Sequence, residues 1–239
     1  MLDFSILSYV VIILTLLVVP YLIFGTYYYS GHGLKKSVSI TSGVIIWGII
    51  MLFTIFRWQF NISEPLGVPL LLVVNLLWPS LIVVFWKKYF VGNGLNLRWL
   101  TGLQIFRLIG FLFLMESARN LVGVEFANVA GIGDIVVGTV ALTLFVQLVS
   151  NTNPSKSAFY LLIIFGVLDF VSAFTFGFLS SEIPFQVFAQ GEIHAVNIFP
   201  LGAIPFFLVP IAMAYHWLMY FSLKTKNLIN IFSIQKFFN

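Results

Sequence analysis

The sequence predicts an all-α polytopic integral membrane protein with seven transmembrane helices, its N-terminus outside and its C-terminus cytoplasmic. Three observations carry this expectation. Of the 239 residues, 60% are hydrophobic and only 8% are charged, against about 25% charged in a soluble domain. A water-soluble fold of this size cannot cover its surface with 12 basic and 8 acidic side chains. The apolar residues also fall into seven runs, each near the roughly 20 residues that cross a bilayer as a helix. Finally, lysine and arginine concentrate in alternate links, the asymmetry that orients membrane proteins.

The runs lie near 5–29, 38–56, 67–86, 99–117, 126–149, 158–179 and 196–221, within one transmembrane domain spanning 1–239. The first, MLDFSILSYVVIILTLLVVPYLIF, lacks a basic n-region and a small-residue cleavage site, so it reads as a mature span and not a signal peptide. SGHGLKKS leads into the second run, KKYFVGNGLNLR separates the third from the fourth, and NTNPSKS the fifth from the sixth. Their Gly, Pro, Asn and Ser residues are ordinary turn formers. The outer segment 180–197, SSEIPFQVFAQGEIHAVN, reads as an interfacial helix or as a partial cap. The seventh run, NIFPLGAIPFFLVPIAMAYHW, carries Pro200, Pro205 and Pro210. Each removes a backbone donor and clashes with the preceding turn, so a break or hinge is expected there. The tail NLINIFSIQKFF has apolar residues near helical spacing, as in a helix lying along the inner surface.

On this topology Lys35, Lys36, Lys87, Lys88, Arg98, Lys156, Lys224, Lys226 and Lys236 share one side, which becomes cytoplasmic. Arg57 and Arg119 lie opposite, together with Asp3, Glu64, Glu116, Glu125, Glu182 and Glu192. The net charge of +4 is therefore a topology signal, and no nucleic-acid partner is expected. The expected surroundings are the lipid of the cell (inner) membrane. Cysteine is absent, which excludes disulfides, thiol nucleophiles and thiolate-held metals. His32, His194 and His216 are spread over both sides, so neither a metal site nor a cofactor is expected.

Three ionisable residues remain inside spans: Arg107, Asp134 and Asp169. Counted inward from the outer ends of runs four, five and six, they share a level within roughly 3 Å at 1.5 Å per residue. Ala127, Gly131, Asp134, Gly138 and Ala141 form one small-residue seam, and Gly166, Asp169, Ala173 and Gly177 a second. Such seams let helices approach closely in lipid. The face of Arg107, through Leu103, Gly110 and Leu114, is argued from its charge alone. A charge at mid-bilayer costs about 3 kcal/mol on insertion scales, so such groups pair or line water. An Arg107–Asp134–Asp169 cluster is expected, with a proton shared between neighbouring carboxylates. Gln104 and His216 are secondary candidates, His216 being placed near the cytoplasmic end of the seventh span. Asn75 and Trp78, beside Pro79, either contact the cluster or simply pack. The cluster suits a small-molecule or ion carrier more than an enzyme: Asp134 or Asp169 takes a proton, and Arg107 holds the other carboxylate or an anionic substrate. Against this stands a purely architectural cluster that fixes helix register. A non-catalytic subunit or assembly factor is a further alternative.

GIGD, at 131–134, resembles the Gly-x-Gly-Asp signature of the intramembrane aspartyl proteases. The resemblance implies Asp134 and Asp169 as a catalytic dyad. Asp169, however, follows the glycine motif in a VLD context, and no Pro-Ala-Leu is present, only FPLGAIP. LQIFRLIG, AGIGDIVVG, GVLDFVSA and FPLGAIPFFLVPIAMAYH are together similar to a set of uncharacterised bacterial multi-pass membrane proteins, over about 103–216. That resemblance implies a membrane topology and a shared pattern of Arg107, Asp134, Asp169, the three prolines and His216. It implies no activity.

Overall fold

The computed structural model describes residues 3–59, 67–180, 187–188 and 195–225, and among them the chain forms helices and turns without strands. Eight helical elements follow in order: α1 (Ile6–Tyr28), α2 (Leu34–Gln59), α3 (Gly67–Phe85), α4 (Lys87–Val91), α5 (Leu97–Ser117), α6 (Val124–Val149), α7 (Lys156–Leu179) and α8 (Ile204–Thr225). Among the described residues, six are long and apolar enough to cross a bilayer: α1, α2 over Leu34–Arg57, α5, α6, α7 and α8. The chain is thus membrane-embedded. The sequence predicts seven spans; the third predicted run is α3, 19 residues long and apolar over Leu71–Phe85 among the described residues.

Local chemistry explains where helices begin. Ser5, Asn96 and Ser155 sit in extended backbone before α1, α5 and α7 and accept from the N–H groups of Ser8, Arg98 and Ala158 at 3.1, 2.9 and 3.3 Å. Each satisfies one donor that a helix start leaves unpaired. Between α4 and α5, Gly92 and Gly94 adopt φ of 56° and 99°, a region that L side chains avoid.

α5, α6 and α8 form the centre. α8 packs on α3, α7 and α5; α5 packs on α6 and α1; α6 packs on α7; α2 is peripheral, lying on α1 and on the start of α8. Large apolar side chains such as Leu17, Phe53, Leu168 and Val171 remain on the outside, as lipid requires. Contacts define two ends. Lys36 reaches Tyr89, Arg98 reaches Leu148 and Asn151, and Lys87 lies over Phe221 at the basic end. Ser5 meets Glu116, Tyr9 meets Phe199 and Phe113 meets Phe126 at the other.

The helices deform where they converge. Ile105–Gly110 of α5 winds as a 3₁₀ turn, Ala127–Gly131 of α6 as a π turn, and Ile204–Leu208 of α8 as another. The proline-rich run does not form a single regular helix. A 3₁₀ turn at Ala195–Asn197 is followed by turns that hold Pro200, Pro205 sits in the π turn, and regular α-helix begins at Val209, next to Pro210. Residues 181–186 and 189–194 of the outer segment, and the tail NLINIFSIQKFF, lie outside the described residues, as do Glu64, Glu182, Glu192, His194, Lys226 and Lys236.

Candidate functional site

Arg107 is the largest fully buried side chain, 1% exposed. The 3₁₀ turn places it one step of i, i+3 from Gly110, where α5 closes on α6. Its Nε donates to Asp134 Oδ1 at 2.7 Å, and its Nη2 donates to Asp169 Oδ2. Nη1 makes longer contacts, 3.4 Å to the Gly166 carbonyl and 3.5 Å to His216 Nε2. The guanidinium plane lies 3.9 Å from the Phe170 ring centre. All three nitrogens are engaged, and one face is covered. The structure therefore brings Arg107, Asp134, Asp169 and His216 together from four helices.

The glycines make this approach possible. A methyl at Gly133 would fall on Asp169 Oδ1, and one at Gly166 on the His216 ring. One at Gly131 would meet the Gly110 carbonyl at 2.9 Å, and one at Gly138 the Leu108 backbone nitrogen at 2.7 Å. Real Cβ contacts are not that short, so each glycine supplies the space for a neighbour. In AGIGDIVVG, the spacing accordingly serves helix approach and a seat for Asp169.

Each carboxylate is held by its own guanidinium nitrogen. Two acids around one arginine leave a formal surplus of one negative charge.

Asp134 also borders a cavity of about 90 Å³ between α3, α5, α6, α7 and α8, walled by Phe126, Phe170, Phe174, Asn197 and Pro205. That volume has room for several waters.

The remaining sequence candidates divide. Gln104 Nε2 donates to the Ala212 carbonyl at 3.0 Å, whereas its Oε1 has no partner in the structure. His216 is corrected in depth. It sits not at the end of α8 but against Arg107, 1% exposed, with Nδ1 unpartnered. The reason lies in the prolines: regular helix starts only at Val209, leaving His216 about two turns in. Asn75 packs away from the cluster, donating to the Phe206 carbonyl. That carbonyl stands four residues before Pro210, whose ring nitrogen has no proton to offer it. Trp78 is 55% exposed and borders a different cleft.

A buried carboxylate elsewhere escaped the sequence reading. Glu116, fully buried, accepts from Ser5 N at 3.1 Å, Ser5 Oγ at 2.7 Å, Ser8 Oγ at 2.5 Å and Arg119 Nη1 at 3.0 Å. It ties the start of α1 to the end of α5. The signal was the Ser-x-x-Ser of DFSILS opening an apolar run, which reads as a helix cap with hydroxyls to spare. Among the described residues, no group of His, Asp and Glu is arranged to hold a metal.

A family model described as "Domain of unknown function (DUF8737)" matches residues 65–223. The match spans Arg107, Asp134, Asp169, His216 and all three prolines, and it begins after α2. No curated protein and no solved structure matches the chain.

Proposed function

The chain belongs to the family described as a domain of unknown function (DUF8737), and we propose that it is a proton-linked carrier of a small molecule or ion in a bacterial inner membrane. In this reading α3 is a seventh span, the N-terminus is outside and the basic end is cytoplasmic. The supporting observation is a pair of acids on one saturated guanidinium, one of them bordering a cavity.

The roles follow from that geometry. Arg107 has no nitrogen left for an anionic substrate, so it acts as a fixed counter-charge. Asp134, facing the cavity, takes and releases the proton or meets a cation. Asp169 stays with Arg107, and His216 with Gln104 lines the approach from the basic end. Intramembrane charges of this kind mark ion and proton paths, and a broken helix beside them is a recurrent carrier feature.

The test is flux. Protein reconstituted in vesicles under a pH gradient is challenged with panels of small cations, organic amines and neutral solutes while internal pH is followed with a dye. Asp134→Asn abolishes the solute-driven pH change and leaves the fold intact by melting temperature. Unchanged flux in Asp134→Asn, with a solute that wild type moves, overturns the reading. An architectural clamp is the second reading, favoured by the complete engagement of Arg107. It predicts that Asp134→Asn and Asp169→Asn lower melting temperature alike and that no solute in any panel moves a proton.

A further inference from the structure

A cleft of about 360 Å³ lies between α1, α2, α3, α4 and α8, outside the site described above. Its volume falls in the range of ligand pockets, about 300–1,000 Å³. Its floor is core: Tyr27 and Tyr215 are buried, and Tyr215 donates to Thr26 Oγ1 at 3.2 Å. Its walls are apolar and aromatic, with Trp47 on α2 and Trp78 on α3. Among the described residues α2 and α3 make no extended contact with one another, and Trp78 on this side is exposed. Gly43 borders it, and a Cβ there would meet nothing within 4 Å.

The rim at the basic end supplies a charge. Lys36 stands one turn before Ser39 and Ile40, which line the cleft, and its Nζ lies 4.3 Å from the ring centre of Tyr89, another lining residue. Lys87 and Lys88 open the same short helix as Tyr89. Among the described residues the ion pairs are those of Arg107 and Arg119, so these three lysines face no carboxylate at ion-pair distance. Uncompensated lysines above an apolar cleft at the membrane surface match a molecule with a negative head and a hydrocarbon chain.

We propose that this cleft binds one acyl chain of an anionic phospholipid, with the phosphate held by Lys36 and the lysine pair of α4. The proposal rests on membrane embedding and on the basic end, and is independent of whether the chain is a carrier.

The experiment is native mass spectrometry of the full chain released from nanodiscs of equal phosphatidylglycerol and phosphatidylcholine. One phosphatidylglycerol is expected to stay bound through activation that strips the rest. Lys36→Gln lowers the retained fraction roughly fivefold, the effect of one lysine near an anionic surface. Gly43→Trp, built at a lining position where an added Cβ meets nothing within 4 Å, abolishes retention at unchanged melting temperature. Equal retention of both lipids, or retention indifferent to Gly43→Trp, overturns the proposal. Because the chain has no cysteine, Gly43→Cys carries a benzophenone at a single position. A phospholipid adduct supports the assignment; an adduct with residues 226–239 or with a second copy of the chain overturns it.

Discussion

At Arg107 the geometry of the guanidinium decides the site, because a planar fork reaches two carboxylates that a single ammonium cannot. Arg107→Lys keeps the charge and loses one partner; the expected loss is about 1.5–3 kcal/mol, the worth of a hydrogen bond to a charged group. Thermal denaturation in detergent checks this, and a loss within error would mean that the fork is not what holds the acids. Gly133 gives a sharper test. A Cβ there displaces Asp169, so Gly133→Ala and Asp169→Ala should not add: the double variant should melt close to the worse single one. Full additivity would separate the two residues. Much of this was legible beforehand. Three charges in lipid had to meet, since each alone costs too much, and the small-residue seams gave the faces of both acids. Gly133 was not legible, because it stands off the seam of Ala127, Gly131, Asp134, Gly138 and Ala141, and only the neighbouring helix reveals what fills its space. Glu116 was missed for a different reason. Counted as a residue near a span end, it gives no hint that Ser5 and Ser8 enclose it. Glu116→Ala should cost about 1–3 kcal/mol by stranding those donors, and hydrogen exchange at the start of α1 should rise with it. Unchanged exchange there would mean that Glu116 does not anchor α1.

Among elements, α8 is the one shaped by sequence rules acting against regular structure. Pro210 removes the donor that Phe206 would have used, and Asn75 of α3 replaces it. This makes a thermodynamic cycle possible. Asn75→Leu is expected to cost about 1 kcal/mol, near the typical range for side-chain hydrogen bonds in membranes. Pro210→Ala returns a backbone N–H to the Phe206 carbonyl, so Asn75→Leu should cost less in that background. An equal cost in both backgrounds would show that Asn75 serves packing alone. That α8 would break could be read from three prolines; which turns would absorb the break could not, since a helix freed of one hydrogen bond can tighten, widen or unwind. The same limit hid the depth of His216 and the 3₁₀ and π turns of α5 and α6, where packing of the cluster sets the winding.

For the whole molecule, the two ends differ in charge: Lys36, Lys87 and Arg98 meet their contacts at one, Glu116 and Arg119 at the other. The proposed orientation follows from that difference and has a direct test in a cysteine-free chain. Single cysteines replacing Lys88 or Lys156 should react with an impermeant maleimide only in inside-out vesicles, and one replacing Asn120 only in intact cells. Reaction of Lys88→Cys and Lys156→Cys on opposite faces would contradict the span count. Composition alone announced a membrane protein, and the lysines give the polarity that this labelling tests.

Arg107 behaves as a soldered joint: each of its nitrogens is committed to a neighbour. In the proposed carrier, a proton passing this level is relayed by exchange at the acids around Arg107. The solute-driven pH change of the proposed carrier should therefore slow in heavy water.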